Sequence, residues 1–170
     1  MLVMIGYASE HGSTEGIARR LGDRLRAHGH SIDVRPLDRP VEALGLYDVF
    51  VLGSAIHGGS WLREAADFAR RETDTLARRP VWLFSVGLAR VLGGRFAQAG
   101  EVPKGVPEIM RALGAREHRL FAGAIRPGHL PLFGRFVYRA MGGRYGDFRD
   151  WAEVEEWAEE IAAQLTMVTR

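Results

Sequence analysis

Short apolar runs alternate with segments of helical period from one end of the chain to the other. Residues 2–7 form an apolar run interrupted only by Gly6, the pattern of a strand buried on both faces. Ser13 or Thr14 is placed to cap a helix whose Ile17, Ala18, Leu21 and Leu25 share one face before Gly29 ends it. Residues 32–37 alternate as a second strand, and residues 48–53 predict a third that is again apolar on both faces. Gly58 and Gly59 then break the chain. Ser60 is expected to cap a helix carrying Trp61, Ala65, Phe68 and Ala69, and Pro80 stops it. Residues 81–84 predict a fourth strand, followed by a loop of small residues over 85–100. Val106, Ile109, Met110 and Leu113 stripe a further helix closed by Gly114, and residues 119–125 predict a fifth strand. Trp151, Val154, Trp157, Ile161 and Leu165 line one side of a last helix.

Five strands separated by helices predict an α/β fold, a doubly wound parallel sheet with helices on both faces, because right-handed crossovers leave few other solutions. No linker or internal repeat divides the sequence, so residues 1–170 are expected to form a single domain. In such a sheet a ligand sits beyond the carboxyl ends of the strands, where the strand order reverses. The loops after strands one, three and four are therefore the places to look for chemistry.

The chain contains no cysteine. Disulfides, thiolate metal sites and dithiol redox chemistry are excluded, so any electron transfer must run on a bound cofactor. No histidine pair has metal-binding helical spacing with a supporting carboxylate, and no metal is expected. The start of the sequence lacks a basic leader, and no stretch approaches the ~20 apolar residues of a membrane span. A cytoplasmic protein, at most peripheral at the membrane, is the expectation. The net charge of +2 hides a partition: residues 1–84 are neutral overall, residues 85–149 carry +7 and residues 150–170 carry −5. A basic middle third suits a partner with negative charge, while solvated arginines on helix faces are the plainer reading.

The first loop, Ser9-Glu10-His11-Gly12-Ser13-Thr14, runs straight into a helix. Hydroxyls, a turn glycine and the free amides of a helix N-terminus suit a phosphate dianion, and they equally suit an ordinary helix cap. No Lys or Arg precedes Arg19, so an anion here would rest on amides, hydroxyls and His11, unlike the lysine-dependent Walker loop. The second loop, Ser54-Ala55-Ile56-His57-Gly58-Gly59, and the third, Ser85-Val86-Gly87-Leu88-Ala89-Arg90, are built of small residues that let a flat ring approach the backbone.

With these residues the chain resembles the flavodoxin-like FMN-binding proteins, whose hydroxyl-rich phosphate loop matches Ser9 to Thr14 and whose ring-flanking loops correspond to residues 54–59 and 85–94. The resemblance covers nearly the whole chain and implies a flavodoxin-like sheet of order 2-1-3-4-5 with FMN bound by the three loops. A closer resemblance is to the flavodoxin-like, menaquinone-dependent protoporphyrinogen dehydrogenases. It is carried by Gly53-Ser54-Ala55-Ile56, Phe84-Ser85-Val86-Gly87-Leu88, Phe121-Ala122-Gly123-Ala124-Ile125-Arg126 and an insertion over about 126–149 that ends in Met141-Gly142-Gly143 before Asp150-Trp151. That group's activity implies FMN-dependent removal of hydrogen from a carboxylated porphyrinogen, delivery of electrons to a quinone, and a place in heme synthesis. His57 and Gly58 stand where flavodoxins commonly place a stacking aromatic, and residues 85–94 hold no tyrosine or tryptophan.

His57, in a ring-flanking loop, is the candidate acid or base, against the plainer reading of a solvated loop histidine. No Asp or Glu lies between Ser85 and Gly100, whereas Arg90 and Arg95 do, which predicts a less negative potential for a bound flavin than in acidic flavodoxins. The insertion mixes arginines with aromatics. Phe133, Phe136, Val137 and Ala140 share a helical face, with Arg135 and Arg139 on another. Such a segment can cover a carboxylated macrocycle, lie on anionic lipid, or pack on its own sheet as a lid or dimer contact. No recognition motif points to nucleic acid. Two other readings stand beside the enzyme: an electron carrier that docks on a redox partner, and an FMN-free interaction module of the same fold.

Overall fold

The computed structural model describes residues 1–87, 102–126, 128, 138 and 144–168. The described chain runs β1 (Leu2–Ala8), α1 (Ser13–Ala27), β2 (Ser31–Pro36), a 3-10 turn (Leu44–Leu46), β3 (Val49–His57), β4 (Ser60–Trp61), α2 (Arg63–Arg71), α3 (Thr73–Leu76) and β5 (Val81–Gly87). It continues through α4 (Val106–Leu113), β6 (Glu117–Ala122), β7 (Ala124–Ile125), β8 (Gly146–Asp147) and α5 (Trp151–Val168).

The long strands lie in the order β2-β1-β3-β5-β6, all parallel, which is the expected doubly wound, flavodoxin-like sheet. Strand alternation divides the core in two. Val3, Ile5, Val51, Trp82, Phe84 and Phe121 face α1 and α5, where the Phe84, Phe121 and Trp157 rings meet edge to face with centroids 5.5–6.1 Å apart. Met4, Phe50, Leu52, Val81 and Leu83 face α2 and α4 on the opposite side. Gly53 is needed where the two neighbouring strands pack closely, because a Cβ there would collide with the Phe84 ring.

Three details depart from the sequence reading. Neither Ser13 nor Thr14 caps α1: the cap is Gly12, in the left-handed region at φ 85°, and both hydroxyl residues lie inside the helix. Ser60 and Trp61 do not open a helix. They pair back onto His57 and Ile56 as an antiparallel hairpin whose turn is Gly58 and Gly59, at φ 58° and 80°. Positive φ at both turn positions marks a type I′ turn, which matches the strand twist and favours glycine. The fifth run is also not one strand. At Gly123 the chain leaves β6, and β7 pairs antiparallel with β8, so the insertion departs and returns through a two-stranded ribbon.

Among the described residues no helix is long and apolar enough to cross a membrane.

Candidate functional site

Beyond the carboxyl ends of β1, β3 and β5 the loops enclose a cleft of about 270 Å³. Its first wall is the β1–α1 loop with Ser9, Glu10, His11, Ser13 and Thr14, its second is Ala55, Ile56 and His57 at the end of β3, and its third is Val86 and Gly87 of β5. Gly123, Ala124 and Ile125 complete it. The sequence reading missed these last three. The signal available was Gly123 inside an otherwise continuous apolar run.

The first loop is shaped by its own serine: the Gly12 amide donates to Ser9 Oγ at 3.0 Å. Ser13 fastens it to β7, its Oγ accepting from the Ala124 amide at 3.1 Å and donating to the Ala124 carbonyl at 3.3 Å. Gly12 offers no side-chain cap, so the opening amides of α1 carry their positive dipole end toward the cleft. Thr14 is fully buried in the cleft wall, and its Oγ1 has no hydrogen-bond partner. Glu10 contributes differently from an anion ligand, since its carboxylate faces His57, with Oε2 3.2 Å from Nδ1 across the mouth of the cleft. The His57 side chain is 72% exposed.

Ser54 and Ser85 do not line the cleft, contrary to expectation. Both are fully buried and turn toward the α2 side of the sheet. Ser54 Oγ accepts from the Leu62 amide at 2.9 Å. Ser85 Oγ accepts from the Trp61 indole N–H at 2.7 Å and is hydrogen-bonded to His118 Nε2, also at 2.7 Å. Burial pushes the His118 pKa down to about 4, against an upward pull from Glu117. Gly58 and Gly59 shape the hairpin without facing the cleft. Leu88, Ala89 and Arg90 lie outside the described residues, as do Arg95 and the Phe133 to Ala140 face of the insertion.

The base of the insertion is pinned next to the first loop. Asp147 accepts from Arg149 Nε at 2.8 Å, and that bond holds the Asp147 carboxyl below its ordinary range. The Arg149 guanidinium lies 4.5 Å from the centroid of the Trp151 ring and covers Gly16 in α1, where a Cβ would collide with it.

A sequence model described as a flavodoxin domain matches residues 4–147. No curated protein matches the sequence. Among solved structures, a flavodoxin from the domain Archaea superposes with a TM-score of 0.62 at 16% identity, covering 98% of this chain and 99% of its own. The flavodoxin of Streptococcus pneumonia TIGR4 gives 0.62 at 20% identity, over 96% of this chain and 99% of its own. Rubredoxin oxygen:oxidoreductase from Desulfovibrio gigas gives 0.66 at 16% identity over 98% of this chain, which spans only 36% of that longer protein. At these identities the likenesses establish the shared fold.

Proposed function

The chain belongs to the flavodoxin domain family, and from that premise we propose that it is an FMN-dependent oxidoreductase whose cofactor occupies the cleft at the ends of β1, β3 and β5. Thr14 carries the reading. A buried hydroxyl without a partner costs about 1–3 kcal/mol, and here it stands beside the uncapped amides of a helix N-terminus, where a phosphate dianion would accept from both. Ser9 adds a hydroxyl whose proton is not used by the Gly12 amide it accepts from. Ala55, Ile56 and Gly87 would flank the ring, with backbone close enough for a flat group to approach. FMN supplies hydride and single-electron chemistry when bound, while the protein's part is to hold, orient and shield it.

The substrate in this reading is a carboxylated porphyrinogen, specifically protoporphyrinogen, and the acceptor is menaquinone. Support comes from where the insertion is attached: β7 lines the cleft at Ile125 and runs directly into Arg126, and the return arm carries Arg144 two residues before Gly146, the partner of Ile125. Guanidinium groups pair in planar fashion with propionate carboxylates. His57, in the cleft wall with Nδ1 turned to Glu10, would leave Nε2 to exchange a proton with the substrate.

Purified protein tests the proposal in stages. An FMN spectrum, reduction of that flavin by protoporphyrinogen, and reoxidation by a menaquinone analogue are the expected results. Reduction only by a protein partner would replace the enzyme with an electron carrier, and failure to take up micromolar FMN would leave an interaction module. Unchanged turnover in His57→Ala would remove that side chain from the chemistry.

A further inference from the structure

We infer that Ser85 and His118, acting on Trp61, are positioning residues that hold the cofactor-flanking hairpin against the sheet, an inference that rests on the FMN reading above. Trp61 closes the β3–β4 hairpin opposite Ile56, one of the residues of the cleft wall. Its indole N–H can only donate, so Ser85 Oγ accepts from it. Ser85 Oγ has a second lone pair and one proton left, and with either of them it bonds His118 Nε2, so one hydroxyl joins the indole to the imidazole.

The three residues come from three elements. Trp61 is on β4, Ser85 on β5 and His118 on β6, and the shared serine is fully buried. The surroundings on this face are apolar, with Leu52, Leu83, Val106 and Ile109 in the same core. A polar chain in such surroundings gives direction that apolar packing lacks, because each group has one satisfactory partner. Its position gives the consequence. Ser85 immediately precedes Val86 and Gly87, which form one wall of the cleft, while Trp61 is paired with Ile56 of another. The relay thus sets the spacing of the two walls between which the flavin ring would lie, although neither Ser85 nor His118 reaches the cleft.

The test measures FMN affinity by flavin fluorescence, together with thermal stability of the same FMN-free proteins. Ser85→Ala and His118→Leu are expected to weaken FMN roughly tenfold or more. His118→Gln, whose amide oxygen can accept from Ser85, is expected to recover most of that loss, which a purely volumetric role for His118 would not produce. Ser85→Ala made in a Trp61→Phe background is expected to cost less than about twofold, since the donor is already gone. In NMR spectra without FMN, the Trp61 indole proton is expected to exchange with solvent faster in Ser85→Ala than in the native chain. Native affinity in both Ser85→Ala and His118→Leu, or equal losses with and without Trp61, overturns the inference. If Ser85→Ala fails to fold, the comparison of His118→Leu with His118→Gln decides. If the native protein takes no FMN, the proposed cofactor fails, and unchanged indole exchange in Ser85→Ala would overturn the relay separately.

Discussion

Thr14 places one atom under two opposing demands. Its hydroxyl is buried without a partner, which weakens the FMN-free protein, and it lines the cleft in which the proposed cofactor's phosphate would need a donor. Thr14→Val keeps the shape and removes the hydroxyl. The expected outcome is an unchanged or higher melting temperature with FMN affinity reduced roughly ten- to a hundredfold, since hydrogen bonds to charged groups contribute about 1.5–3 kcal/mol. Calorimetry and a fluorescence titration of the same variant check both halves. The first loop could be located in the sequence because hydroxyls and a glycine gather at the junction of a strand and a helix, although the same residues equally suit an ordinary helix cap. Ser54 and Ser85 were misread for a reason equally physical. Successive strand residues point to opposite faces, and composition marks a strand end as polar without saying which face receives the polar group. Ser54 and Ser85 are register partners on adjacent parallel strands and share the face that turns away from the cleft.

The hairpin that follows β3 was invisible in the apolar spacing, because Trp61, Ala65, Phe68 and Ala69 do pack in one cluster, only not from one helix. The pair of glycines was the better guide, since an antiparallel turn with φ positive at both positions asks for that composition. Substitutions separate the two positions. Gly58→Asn is expected to be close to neutral, as Asn tolerates the left-handed region, whereas Gly59→Val should destabilise by about 1–2 kcal/mol. Denaturant unfolding measures both, and the Gly59→Val protein should also bind FMN more weakly because Ile56 and His57 lose their frame. The same reasoning applies to the fifth run. Its sequence reads as one strand, but at Gly123 the amide bonds to the Gly87 carbonyl while the Gly123 carbonyl accepts from Phe148, so the chain is handed from the sheet to the ribbon. Such a transfer depends on a partner more than 20 residues away and leaves only a glycine as its local trace.

The charge partition also resolves when the whole chain is folded. The acidic last helix is answered from within: Arg20 and Arg24 of α1 pair with Glu155 and Glu159 at 3.1 and 2.8 Å, and Arg119 of β6 pairs with Glu160 at 2.6 Å. These pairs are partly exposed and individually weak, and the Arg119–Glu160 pair ties the basic middle third to the acidic last helix. Acid stability follows from the buried groups. His118 titrates near 4 in the folded chain against about 6.5 when unfolded, so the unfolded state binds the extra proton between those values. Stability should fall as pH drops from about 6.5 to 4, by on the order of 2–3 kcal/mol, and level off below that for this group. Asp33, where bonds from Tyr47 and Arg35 outweigh burial, and Asp147 have depressed values instead, and their contributions disappear at more acid pH. Melting curves of the native chain and His118→Gln across this range should converge toward pH 4 only in the former's decline. The ribbon at the base of the insertion has a separate consequence. Ile125 and Gly146 are already partners across an antiparallel ladder, so the two ends of the inserted segment sit about one strand spacing apart. Replacing residues 126–145 by Asn-Gly should therefore close a tight hairpin and leave a folded, FMN-binding domain without its extra segment. The insertion is in this sense a removable module, joined to the sheet through one ribbon whose two ends already meet.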